Sequence, residues 1–202
     1  MILALDTSTA ACTAALFDDG GHCLARRDEL IGRGHAERLA PMLAELLEGR
    51  RAETVLVGVG PGSFTGIRVG LAAASGLAIG WNARLLGLSS LALLAASAGV
   101  EGEVAAAMAG GHGELFVQQF GPGLRPSSDL LNLAPSLAAR AISAEVVAGP
   151  GAQALVDARG RGRAVNAFPS ASDAMRLPEE LRTLAPAPVY ARAPDARART
   201  AA

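Results

Sequence analysis

The chain has no lysine; all 18 of its basic residues are arginines. That removes a P-loop lysine, a Schiff-base lysine and a lysine nucleophile at once. Aromatic residues are scarce, at one Trp, one Tyr and five Phe in 202 residues. Few platforms remain for stacking bases, and the core must be built from Ala, Leu and Val. The three histidines, His22, His35 and His112, have no metal-ligand spacing, and the residue one helical turn after His35 is Leu39. The two cysteines do not form C-x-x-C. With a hairpin turned at Asp19-Gly20, Cys23 falls opposite Leu16 and Cys12 opposite Arg27, too far apart for a disulfide. A net charge of -1 gives no global attraction to nucleic acid or acidic lipid. The N-terminus lacks a basic segment and carries Asp6 inside its apolar run, unlike a signal peptide. The longest apolar run, Val69 to Trp81, falls short of the roughly 20 residues that span a bilayer. These absences predict a cytoplasmic protein with reduced thiols, no membrane association and no metal.

What is present is organised around Val55 to Gly80, VLVGVGPGSFTGIRVGLAAASGLAIG. It reads as a strand apolar on both faces, a Gly60-Pro61-Gly62 break and a helix capped by Ser63 or Thr65. The helix is apolar nearly all round, which predicts burial on several sides. Its exceptions, Arg68 and Ser75, share a face. Gly66/Gly70 and Gly76/Gly80 are each four apart, so close packing outranks the cost of about 1 kcal/mol per helical glycine.

In chain order, Ile2 to Asp6, Ala11 to Phe17 and Cys23 to Leu30 read as an antiparallel meander with an Asp-Gly hairpin. Gly34 to Gly49 reads as a helix with Ala36, Leu39, Leu43 and Leu46/Leu47 on its core stripe. His35, Arg38, Met42 and Glu45 fall on the other face, and Pro41 predicts a kink or a late start. Arg84 to Leu88 is a strand, followed by a helix capped by Ser89 or Ser90. Gly99 to Gly102 marks a lobe junction. Glu103 to Ala109 and Glu114 to Phe120 form a hairpin, followed by a helix over Pro135 to Ile142, a strand over Glu145 to Ala148 and a helix over Gly151 to Ala158. A helix near Ser172 to Leu184 precedes a Pro/Ala/Arg tail. The expected division is 1–101, 102–188 and a tail, 189–202.

Two stretches carry candidate chemistry. Asp6 with Thr7-Ser8-Thr9 places an acid and three hydroxyls at a strand end, where they can hold a metal or phosphate, or else close an Asx turn on themselves. Gly60 to Gly66 can form an anion nest or a tight strand-to-helix connection. It matches neither the Walker A nor the G-x-G-x-x-G pattern. Ser63 has no nucleophile-elbow frame, and Glu114 and Asp129 are lone acids. The arginines at 33, 38, 50, 51, 192, 197 and 199 fit surface solvation better than RNA contact, given the missing aromatics.

ILALDTST at 2–9, GHAERLAPMLAELL at 34–47, GVGPGSFTGIRVGL at 58–71, GLSSLALLA at 87–95, GELFVQQF at 113–120 and PVYAR at 188–192 stand in the order seen in the TsaB family, also called YeaZ. The resemblance implies an α/β fold of the actin-like ATPase (ribonuclease H-like) type, with two lobes and the second one reduced. It implies a non-catalytic scaffolding subunit for bacterial tRNA N6-threonylcarbamoyladenosine synthesis. Its partners would be the catalytic paralogue TsaD, the ATPase TsaE and, only within the complex, tRNA. No cofactor is implied, with weak ATP or ADP binding left open. The first two helices would form the partner surface: His35, Arg38, Met42, Glu45 and Leu46, then Arg68, Leu71, Ala74 and Ser75, although Leu46 and Leu71 also fall on core stripes. Asp6, Thr7, Ser8, Gly60, Gly62 and Ser63 would be a vestigial phosphate site. A homodimer follows as a further expectation, since a surface shaped for a paralogue can pair with itself. The competing reading is an ATP-hydrolysing actin-like enzyme or a glycoprotease-like peptidase. One departure stands out: the family's Asp-Ala-Arg before the second hairpin's Gly-Glu is here Ala109-Gly110-Gly111.

Overall fold

A computed structural model describes residues 1–189. Strands β1 (Ile2–Asp6), β2 (Ala11–Phe17) and β3 (Cys23–Leu30) form the meander that the turn residues predict. Strands β4 (Thr54–Gly58) and β5 (Arg84–Leu88) add in parallel beyond β1, giving the order β3-β2-β1-β4-β5. Side chains alternate across the sheet. Leu3 and Leu5 point into a core with helices α1 (His35–Leu47) and α2 (Phe64–Trp81), while Ala4 faces helix α3 (Ser90–Ser97).

The second sheet repeats this plan. Strands β6 (Val104–Ala109), β7 (Leu115–Phe120) and β8 (Leu131–Leu133) form a meander. Strands β9 (Val146–Ala148) and β10 (Arg163–Val165) continue in parallel from β6, in the order β10-β9-β6-β7-β8. Helix α4 (Pro135–Ala141) lies between β8 and β9 in sequence, and α5 (Ala152–Arg159) between β9 and β10. Helix α3 joins the lobes: Ser90 to Ala96 are all buried, in a core drawing on both sheets.

After β10 the chain returns to the first lobe. The backbone N–H of Ala171 donates to Thr13 Oγ1 (2.7 Å), Leu184 pairs with Gly87 on the outer edge of β5, and the Val189 N–H donates to the Val59 carbonyl (2.8 Å). The expected helix over Ser172 to Leu184 is instead two short 3-10 turns, Ala171–Arg176 and Glu179–Leu181, separated at Pro178. The three-residue strands β8 and β10 were not anticipated, being too short to show a period. A bulge between Leu16 and Phe17 shifts the hairpin register, so Phe17 faces Cys23 and Cys12 faces Glu29; both cysteines are free. Helix α1 runs unbroken through Pro41, which faces solvent. The tail, with Arg192, Arg197 and Arg199, lies outside the described residues.

Candidate functional site

The turn after β1 closes on itself. Asp6 is fully buried. Its Oδ1 accepts from the Ser8 N–H (2.8 Å) and Ser8 Oγ (2.7 Å), and its Oδ2 from Ser90 Oγ (2.6 Å). Ser90 Oγ in turn accepts from the Gly60 N–H (3.1 Å), which ties the glycine turn and the start of α3 to the same carboxylate. A Cβ on Gly58 would overlap that carboxylate, so only glycine fits there. Burial pushes the Asp6 carboxyl above its ordinary range, against the pull of the serine hydrogen bonds. The Asx-turn alternative therefore describes Asp6, and Asp6, Thr7 and Ser8 are all buried.

Thr7 and Ser8 instead hold α2. The Ser63 N–H donates to the Ser8 carbonyl (2.7 Å), and Thr7 Oγ1 donates to the Gly66 carbonyl (2.7 Å). Ser63, not Thr65, caps the helix, accepting from the Gly66 N–H (3.2 Å). Beyond this turn a cleft of about 670 Å³ opens between the lobes. Ser8, Gly62, Ser63 and the N-termini of α1 and α2 form one wall; Met108, Ala109, Pro150 and Phe168 form the other. Of the six predicted phosphate-site residues, the cleft touches Ser8, Gly62 and Ser63; Asp6, Thr7 and Gly60 lie beneath it. Among the described residues no three His, Cys, Asp or Glu side chains gather as metal ligands.

The outer surface of α1 and α2 is the other candidate, and the structure corrects its membership. Met42 is 0% exposed and contacts Cys12 Sγ through its sulfur (3.8 Å); it belongs to the core, not to an outer face. His35 is also turned inward, with Nε2 3.2 Å from the Ala11 carbonyl. Leu46, Leu71 and Ala74 are buried under the same helices. The apolar stripe of α1 is one position wider than expected: His35 and Met42 point in, and Ala36 points out. Arg38 is half-buried and forked between Glu29 (2.5 and 2.7 Å) and Glu45 (2.9 and 3.1 Å), joining α1 to β3. Its hydrogen bonds hold both carboxylates below their usual range.

Helix α2 is not buried on several sides. It is long and apolar enough to cross a membrane by length and composition, yet only its inner edge is covered. Gly66 and Gly70 press on Thr7, whereas a Cβ at Gly76 or Gly80 would meet nothing within 4 Å. Phe64 is 57% and Ile79 82% exposed. The guanidinium of Arg68 stacks on the Phe64 ring, 3.5 Å from its centroid, on the same outward surface. Ser75 is half-buried beside the open glycines. Phe64 and Ile79 are the residues sequence reasoning missed; continuous apolarity hid which side of the helix the sheet would take.

A meander extended by two parallel strands, repeated in a second lobe across a cleft, defines the actin-like, ribonuclease H-like class of two-lobed α/β proteins. Residues 28–192 match the family model described as "TsaD: tRNA N6-adenosine threonylcarbamoyltransferase". The solved structure of YeaZ from Pseudomonas aeruginosa superposes with a TM-score of 0.78 at 31% identity, covering 94% of this chain and 98% of that one. The tRNA threonylcarbamoyladenosine biosynthesis protein TsaB of Escherichia coli is 39% identical over 102 residues, 48% of this chain and 43% of that protein. Its Haemophilus influenzae counterpart is 40% identical over 102 residues, 48% of this chain and 42% of that protein. These alignments span less than half the length of the curated relatives. The chain belongs to the TsaB (YeaZ) family.

Proposed function

We propose that the chain is a non-catalytic scaffolding subunit for tRNA N6-threonylcarbamoyladenosine synthesis, pairing with a TsaD-type catalytic paralogue through the outer face of α1 and α2. The observation that carries this is the surplus on α2. A helix packed on its own sheet still exposes Phe64, Ile79 and two bare glycines. Exposed apolar surface next to backbone with no side chain in the way suits another helix, which gains from close approach and burial. Half-buried Val69, Ala73 and Leu77 lie between this stripe and the core. On α1 the exposed residues are Ala36, Glu37, Ala40, Pro41, Ala44 and Glu45.

The enclosure of Asp6 supports this reading over an ATP-hydrolysing or glycoprotease-like enzyme, because a carboxylate sealed behind Gly58 does not reach a metal or nucleophile in the cleft. On the same reading the protein works in the cytoplasm, TsaE and tRNA join only in the assembled complex, and a second copy occupies the face when the paralogue is absent.

The test measures affinity for the TsaD paralogue of the same organism. Ile79→Arg should weaken binding by about a hundredfold, as charge placed at an interface centre does. Leu137→Arg, on the equally accessible α4, should stay within about threefold of the parent protein. Parent-like binding by Ile79→Arg would refute the proposal.

A further inference from the structure

Helix α2 packs on its sheet through Ile67, Leu71, Ala74 and Ala78, and at its N-terminal end it is seated on one polar side chain. Thr7 is 1% exposed, and its Oγ1 donates to the Gly66 carbonyl at 2.7 Å. That carbonyl already has a helical partner four residues on, so the hydroxyl is a tether added to the helix, not a repair of it. The same oxygen fills the notch left by the missing side chain of the next inner glycine: a Cβ on Gly70 would lie 2.5 Å from Thr7 Oγ1, with Leu5 Cδ1 and Val57 Cγ2 at ordinary contact distances of 3.5 and 3.6 Å. A Cβ on Gly66 would overlap the Thr7 carbonyl. Thr7 is in turn fixed by the closed Asp6–Ser8 turn on one side and the Ser8–Ser63 backbone bond on the other.

We propose that Thr7 is the positioning residue of the docking face. Its hydroxyl sets the height and roll of α2 over the sheet, and so sets where Phe64, Arg68, Gly76 and Ile79 stand on the outer surface. The turn that handles phosphate in a two-lobed ATPase is here the seat of an interaction helix. This rests on the reading that the outer face of α1 and α2 binds the catalytic paralogue.

The protein carries its own probe. Its single tryptophan, Trp81, is the last residue of α2 and packs half-buried against the first-lobe core. Gly70→Ala should move the helix, shift Trp81 emission and weaken paralogue binding by about tenfold or more. Thr7→Ala in the Gly70→Ala background clears the overlap but also removes the tether, and should bring both readouts back to those of Thr7→Ala alone, to within about threefold in affinity. Thr7→Ser in that background keeps the oxygen and should restore neither. Thr7→Ser alone should behave as the parent, and Thr7→Val alone, which keeps the volume and loses the tether, should shift Trp81 emission. Rescue by serine as good as by alanine, or an unmoved Trp81 in both Gly70→Ala and Thr7→Val, overturns the proposal. If the parent protein does not bind the paralogue, the docking reading fails while the Trp81 emission series still decides the role of Thr7.

Discussion

The two lobes follow one topology and differ in what they seal and what they leave bare. Each has a Gly-Pro-Gly between its fourth strand and second helix, Gly60-Pro61-Gly62 in one and Gly149-Pro150-Gly151 in the other. Aligned on these, Gly58 corresponds to Val147. Val147 pairs with Ala105 in the second sheet, and Asp6 follows one step after the Leu5–Val57 pair in the first. A buried acid facing a glycine in one lobe is thus an alanine facing a valine in the other. The second helices differ as much: α2 has 18 residues and α5 has 8. Beyond the length of α5, α2 still buries Ala74 and Ala78 in the core. The additional length of α2 carries Gly76, Ile79 and Gly80, so the excess of one lobe over its counterpart coincides with the surface assigned to the partner.

The largest expected effect comes from removing that difference at its centre. Gly58→Ala drives a Cβ into the Asp6 carboxylate. It should cost about 4 kcal/mol or more in denaturant unfolding, since it overpacks the core and breaks a buried hydrogen-bonded charge. Asp6→Ala combined with Gly58→Ala, which puts a small apolar pair in place of the buried acid and its glycine, should recover at least half of that loss. A double variant no better than Gly58→Ala would show that the lobes are not equivalent at this point.

A smaller effect is the pH dependence that Asp6 confers. Burial raises its folded-state carboxyl above the unfolded value. Its contribution to stability is fully present below the ordinary carboxylate range and is lost as pH rises through the folded value. Relative to the parent, Asp6→Asn should therefore gain stability with rising pH, by roughly 1.4 kcal/mol for each unit by which the folded value exceeds the unfolded one. Urea titrations between pH 4 and 8 measure it; a difference independent of pH would contradict the assignment.

The sequence disclosed the first lobe almost residue by residue, because its strands are long enough to alternate and its turns carry Asp-Gly and Gly-Pro-Gly signals. The bounds of β1, β2, β3 and β5 are those expected. The second lobe was less legible: strands of three residues have no period, and Pro178 turns an apparent helix into two short turns. The candidate surface was half legible. Glycines at 66, 70, 76 and 80 announced close packing, but not that the first pair seats the helix on Thr7 while the second faces outward. Met42 was misplaced because α1 packs against three neighbours, β2, β3 and α2, and so buries a wider stripe than a helix on a sheet alone. The enclosure of Asp6 depends on Gly58 and Ser90, which are remote in sequence from each other and from Asp6.

Hydrogen–deuterium exchange of the chain with and without its TsaD paralogue tests the central claim most directly. Protection should concentrate in Phe64–Trp81 and His35–Leu47, with Pro135–Ala141 and Ala152–Arg159 unchanged. Protection confined to the second lobe, or none in α2 at saturating partner, would contradict it.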